Sequence, residues 1–228
     1  MSLYTIGDLH LSLSTDKPMD VFGDKWKDHT AKIKAGFAHL SDDDVTVICG
    51  DISWGMSLEE ALADLRFIDT LPGHKIILKG NHDYWWNTAT KINKFFTENG
   101  INTIEILHNN CFFYENTAIC GTRGWFYEEE KGIEHDRKIM LREVGRLERS
   151  LKLAGEREKT VFLHYPPKFL SYECPEILEL LKEHSVRHCY YGHIHGKGCA
   201  AAFNTWADGT QFRLVSADFV DFTPVKIL

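Results

Sequence analysis

The sequence predicts an α/β protein in which mixed β-sheets are flanked by helices. Two observations carry that prediction. Short apolar runs of strand character alternate with segments whose apolar residues recur at helical spacing, the pattern of βαβ units. In the second half, adjacent strand-like runs are separated by short turns, which adds antiparallel strands.

Taken in order, "LYTI" is the first expected strand, followed by a loop and a helix from about Trp26 to Leu40 with Trp26, Ile33, Phe37 and Leu40 on one stripe. The run "VTVIC" is the second strand. A helix then opens with Ser57 and Glu60 at capping-box spacing, carries Leu58, Ala61, Leu62, Leu65 and Ile68 on one face, and stops at Pro72-Gly73. "KIIL" is the third strand, and the next helix ends near Asn99, before Gly100. The runs "INTIEIL", "CFFYE" and "TAICGT" read as neighbouring strands, the last two joined at Asn116. A charged helix from about His135 to Ala154 is expected to bury Met140, Val144, Leu147 and Leu151. Strand "TVFL", helix "PEILELL" and strand "HCYY" follow, and the tail reads as a hairpin through Asp208-Gly209 with a closing strand near Val225.

Composition narrows the class. The chain has 228 residues, 43% of them apolar, and no repeat or Pro/Gly/Ser-rich linker, so one domain over residues 1–228 is expected. No segment is long and apolar enough to span a membrane, and Tyr4 and Ile6 read as strand where a signal peptide would have its core. The six cysteines are scattered, with no C-x-x-C pair, as suits free thiols in a reducing compartment. A soluble, cytoplasmic protein is therefore expected. The net charge of −7 argues against a broad nucleic-acid surface. Nothing points to a protein partner.

Five of the apolar runs end in residues that bind metals. "LYTI" leads to Asp8 and His10, "VTVIC" to Asp51, "KIIL" to Asn81, His82 and Asp83, "TVFL" to His164, and "HCYY" to His193 and His195. Singly, each has a plain reading as a turn residue, a helix cap or a strand end. Together they fall where ligands gather in open α/β sheets, beyond the carboxyl ends of the strands. Gly7, Gly50, Gly80 and Gly192 stand at the exits, where sharp turns ask for glycine backbone angles. Imidazole combined with carboxylate and amide oxygen suits Mn, Fe, Zn or Ni better than calcium. Asp8, His10, Asp51, Asn81, His164, His193 and His195 exceed one tetrahedral site, and fit two divalent ions that share a carboxylate, about 3.5–4 Å apart.

The order of these blocks resembles the calcineurin-like metallophosphoesterase superfamily: Asp8-Leu9-His10, Gly50-Asp51, Gly80 to Asp83, a lone His164, and Gly192 to His195. The stretches "GDISWGMSLEEAL", "GNHDYWW" and "CGTRGW" are similar to those of small bacterial phosphohydrolases. The resemblance implies a four-layer α-β-β-α sandwich. It also implies that Asp8, His10 and His195 hold a first metal, that Asn81, His164 and His193 hold a second, that Asp51 bridges, and that His82 faces the substrate. Two departures stand out. Gly50-Asp51 continues as Ile52-Ser53-Trp54, without the phosphate-gripping arginine of protein phosphatases, and Asp83 stands where those enzymes carry glutamate.

The expected chemistry is hydrolysis of a small phosphoester, nucleotide-like substrates included, by a hydroxide activated between two cations, with His82 as proton donor or leaving-group stabiliser and Asp83 as its orienter. Arg123 ends another strand and either contacts substrate phosphate or pairs with the acidic run at 128–130. His29, one turn from Trp26 and Ile33, reads as helix packing. Trp54, Trp85, Trp86 and Trp125 divide between core and pocket wall. A nuclease using the same site, and an inert interaction scaffold, are the alternative functions; the complete donor set argues against the scaffold.

Overall fold

The computed structural model describes residues 1–126 and 133–228. The first half runs β1 (Leu3–Ile6), α1 (His29–Phe37), β2 (Val45–Ile48), α2 (Leu58–Asp69), β3 (His74–Ile77), α3 (Ala89–Glu98) and β4 (Ile104–Ile106). The second half runs β5 (Phe112–Tyr114), β6 (Thr117–Thr122), α4 (Ile133–Leu153), β7 (Glu158–Leu163), the small pair β8 (Lys168–Phe169) and β9 (Tyr172–Glu173), α5 (Pro175–Glu183), β10 (His188–Tyr191), β11 (Trp206–Ala207), β12 (Thr210–Leu214) and β13 (Val225–Lys226).

Two mixed sheets result. The first has the order β13-β1-β2-β3-β4, parallel except for the closing strand β13. The second has the order β11-β12-β10-β7-β6-β5, parallel at its centre with antiparallel edges at β5 and β11. Strand side chains alternate between faces, and the alternation sorts them into three cores. Tyr4, Ile6, Ile48 and Ile77 pack with Ile33, Phe37, Leu65 and Phe96 of the first three helices. Val161, Leu163, Cys189 and Leu214 pack with Leu147 and Leu151 of α4 and Ile177 of α5. Between them, Leu3, Val47 and Ile76 of the first sheet meet Ile119, Phe162 and Tyr190 of the second. The architecture is the four-layer α-β-β-α sandwich, helices outside and two sheets face to face.

Local chemistry explains the element ends. Ser57 accepts from the Glu60 N–H at 3.3 Å and opens α2, while the Glu60 carboxylate accepts from the Met56 N–H at 2.8 Å. At the other end of α2, the buried Lys75 ammonium donates to the carbonyls of Leu71 (2.6 Å) and Gly73 (2.7 Å).

Two expectations need correction. The first helix does not begin at Trp26. Asp24–Trp26 is a 3₁₀ turn, Asp28 takes a left-handed φ of 54°, and the α-helix starts after it. The runs read as three neighbouring strands belong to both sheets: β4 pairs with β3, whereas β5 pairs with β6. The chain crosses from one sheet to the other between them.

Among the described residues all six cysteines are free, and four of them are buried. Burial pushes the Cys120 thiol up to about 12, which leaves it protonated and inert. No described helix is long and apolar enough to cross a membrane.

Candidate metal centre

The seven donor residues leave the same edge of the sandwich. β1, β2 and β3 of the first sheet deliver Asp8 and His10, Asp51, and Asn81. β7 and β10 of the second deliver His164, and His193 and His195. The sheets are tied together there: the Gly7 N–H donates to the Val215 carbonyl at 2.7 Å, and the Ala217 N–H to the Gly7 carbonyl at 2.9 Å. Asp8, His10, Asp51 and His193 all have positive φ, between 46° and 73°. The glycines act differently from expectation. Gly50 does have a left-handed φ of 81°, but Gly7, Gly80 and Gly192 do not. At Gly80 and Gly192 the requirement is space: a Cβ on Gly80 would run into the Asp51 carboxylate, and one on Gly192 into that of Asp8.

Ligand atoms of Asp8, His10 and His195 lie within 4.8 Å of one another, as do those of Asp8, Asp51 and His164. Asn81 and His193 complete the group, because the Asn81 Oδ1 stands 2.6 Å from His164 Nε2 and 2.9 Å from His193 Nδ1. The Asp51 Oδ2 is 3.6 Å from both His10 Nε2 and His164 Nε2. His164 Nδ1 lies 3.0 Å from the Cys49 carbonyl, which can only accept, so the proton sits on Nδ1 and Nε2 faces the site with its lone pair. His195 Nδ1 faces Asp218 at 2.8 Å in the same way, turning its Nε2 to within 3.4 Å of His10 Nε2. Ring nitrogens and carboxylate oxygens converging in a buried space, with outer hydrogen bonds fixing the tautomers, form a donor set that fits divalent cations.

Electrostatics divide the donors. Burial opposes the charge on Asp8, yet His195, His164 and His10 hold its pKa below the usual carboxylate range. Burial, with Asp83 and Asp8 nearby, raises Asp51 well above that range. Burial drives His10 well down and His164 down to about 3, keeping both neutral as ligation requires. For His195 burial works against the proton, but Asp8 and Asp218 together raise it to about 10. A bound cation would have to displace the proton that burial favours on Asp51 and that Asp8 and Asp218 favour on His195.

His82 stands at the rim. Its backbone N–H donates to Asp51 Oδ1 at 2.8 Å, and its ring lies 4.4 Å from that of Trp54 and 5.7 Å from that of His10. The bonds of Asp83 go elsewhere than to the His82 ring. Its Oδ1 accepts from the N–H groups of Ile52 (2.8 Å) and Ser53 (3.2 Å) and from the Trp85 indole (3.0 Å), and its Oδ2 from the Gly80 N–H (2.7 Å). Asp83 thus fastens the loop after β2 to the loop after β3. The Arg123 guanidinium lies 3.5 Å from Glu143 and 4.8 Å from the Trp125 ring, while its carbonyl accepts from the N–H groups of His164 (3.1 Å) and Tyr165 (2.8 Å). Its expected acidic partners at 128–130 lie outside the described residues. Trp85 and Trp125 are buried core, Trp86 packs half-buried against the first core, and Trp54 lines a cavity beside His82. His29 is more than helix packing, since its Nε2 sits 3.2 Å from the His10 carbonyl.

Asp218 was not foreseen. It follows β12 just as the donors follow their strands, so the signal was a sixth polar ending, in "VSAD". Asp64 is a second such residue. Buried in α2, it accepts from the Leu13 N–H at 2.8 Å and from the Ser53 hydroxyl, bracing the loops after β1 and β2.

A family model described as calcineurin-like phosphoesterase matches residues 1–197. Among solved structures, a phosphopantetheinyl hydrolase from Mycobacterium tuberculosis shares the fold at a TM-score of 0.61 and 14% identity, over 100% of this chain and 95% of its own. A protein of unknown function from Aquifex aeolicus does so at 0.57 and 16%, over 99% and 95%. No curated protein sequence matches the chain.

Proposed function

The chain belongs to the calcineurin-like phosphoesterase family, and from that premise we propose that it hydrolyses a small phosphoester at a centre of two divalent cations. The supporting observation is the Asp51 Oδ2, equidistant at 3.6 Å from a histidine of each donor group. Asp8, His10 and His195 would hold one cation and Asn81, His164 and His193 the other, with Asp51 shared. Mn, Fe, Zn and Ni all suit this nitrogen and oxygen set. Bound there, the cations would supply Lewis acidity, acidifying a water and offsetting the charge of the phosphoryl oxygens.

The chain's own residues do the rest. His82, anchored through its N–H to Asp51, hands a proton to the departing oxygen. Asp83 holds the two loops that place His82 and Asp51. We assign Arg123 a positioning role through its carbonyl, which supports the strand end bearing His164; a contact between its guanidinium and substrate phosphate would compete with Glu143. The inter-sheet core supports reading the whole chain as one domain.

Metal-stripped protein should be reconstituted with Mn, Fe, Zn or Ni and assayed on p-nitrophenyl phosphate, bis(p-nitrophenyl) phosphate and single-stranded DNA. Binding of about two equivalents of metal, with hydrolysis of one of the small esters, is expected. One equivalent would overturn the dinuclear reading, and no hydrolysis by metal-loaded protein would overturn the hydrolase. Cleavage of DNA in preference to both small esters would establish the nuclease instead.

A further inference from the structure

Beside the donor group lies a cavity of about 310 Å³ with two unlike walls. One wall is His10, His82 and His195. The other is Met19, Phe22, Trp26 and Trp54. Resting on the hydrolase reading, we propose that this cavity receives the leaving group of the substrate, and that this group is uncharged, apolar and about the size of one fused ring system.

Placement comes first. His10 and His195 belong to the donor group, so the cavity opens directly from the position of the phosphate. His82, the proton donor, shares the cavity and lies 4.4 Å from the Trp54 ring. A group departing towards His82 therefore enters the apolar wall. Charge comes second. Among the described residues no lysine or arginine lines the cavity. Lys17 stands outside it, exposed, with its ammonium 5.4 Å from the Trp54 ring. A second phosphate or a carboxylate on the leaving group would thus meet no lysine or arginine there, only the imidazoles of His82 and His195, and would still give up its hydration.

Shape and surface chemistry give the rest. Trp54 is held in place, stacked on His10 at 5.1 Å and 23°, with its indole N–H 3.2 Å from the Met19 sulfur. Phe22 is the opposite case: it sits on a 3₁₀ turn over Met19–Phe22 and is 66% exposed while lining the same cavity. Its ring at the mouth of the cavity can therefore be covered by an apolar ligand, which would remove that surface from water. The volume is at the lower end of small-molecule sites, which span about 300–1,000 Å³, and this favours a single ring system over a polymer.

The test uses the full chain loaded with Mn and three esters of similar leaving-oxygen acidity: phenyl phosphate, 1-naphthyl phosphate and a carboxylated naphthyl phosphate. Binding of 1-naphthol, the product alcohol, is followed separately by calorimetry. Expected are a KM lower for the naphthyl ester than for the phenyl one, and lower than for the carboxylated ester by about tenfold. Phe22→Ala should weaken 1-naphthol about tenfold and raise KM for the naphthyl ester more than for the phenyl ester. Trp54→Ala should weaken 1-naphthol as well; because Trp54 also packs on His10 and His82, only binding is read from that variant, and Phe22, being exposed, keeps the test valid if the tryptophan variant misfolds. Equal KM for all three esters, or 1-naphthol binding that ignores Phe22→Ala, would overturn the cavity assignment while leaving the hydrolase standing. Binding of 1-naphthol that depends on Phe22, with no ester hydrolysed, would do the reverse.

Discussion

Asp8, His10, Asp51 and His193 each hold a backbone conformation that L-residues seldom adopt, and each such residue costs about 1–3 kcal/mol. The cost is offset by bonds that need those conformations: the Asp8 N–H reaches the Gly50 carbonyl at 2.9 Å, and the His10 N–H that of Asp51 at 2.9 Å. Neighbouring glycines leave the room. Gly80→Ala should therefore displace the Asp51 carboxylate, and we expect the variant to fold by circular dichroism yet fail to retain metal. His82→Ala should lower kcat by about 10²–10⁴-fold with metal content intact; loss of metal would make His82 a ligand. Asp218→Asn should weaken metal binding by about 10–100-fold, read by competition with a chromogenic chelator. The convergence of these side chains was legible because each lies in a short motif at a strand end. Asp218 was not, since its meaning depends on His195, elsewhere in the sequence, and the bonds of Asp83 to Ile52 and Ser53 are equally non-local.

Helix α2 shows what an element needs beyond its apolar stripe. Its start was legible from Ser57 and Glu60 and its stop from Pro72-Gly73, but the carbonyls beyond its end are bonded by a side chain from the next strand. Lys75 is buried and bonded to carbonyls at the end of the helix and the turn beyond it, so Lys75→Met should destabilise the protein by about 1–3 kcal/mol in urea denaturation. Burial, against the pull of Asp69 and Asp42, brings the Lys75 pKa from its ordinary 10.5 down to about 8. Below that the lysine is charged whether the chain is folded or not. Between about 8 and 10.5 the unfolded chain holds more protons, so this residue's contribution rises with pH. The stability difference between wild type and Lys75→Met should grow across that window, and a constant or shrinking difference would contradict it. The strand assignments failed only where local pattern is silent. Apolar runs such as "TIEI" and "CFFYE" look alike, and nothing in either says which sheet it joins. The start of α1 was misplaced for a related reason, because Trp26 earns its burial from the site loops and Phe222, not from a helix.

At the scale of the molecule, the two sheets share the site as they share the middle core. A ligand that binds only the folded chain stabilises it by about 2.7 kcal/mol at a hundred times its dissociation constant. Metal at that excess should raise the melting temperature, and a chelator should lower it to that of the stripped protein; no difference would mean that the folded chain has no preferential affinity for metal. The face-to-face packing of Leu3, Val47 and Ile76 on Ile119, Phe162 and Tyr190 acquires a second meaning from this. Sliding one sheet over the other by a single residue moves it about 3.3 Å, which is more than the whole length of a bond from zinc to a histidine nitrogen, about 2.0–2.1 Å. The greasy seam is thus a measuring gauge: its interlocking side chains set the register at which two half-sites, each useless alone, come within reach of one another.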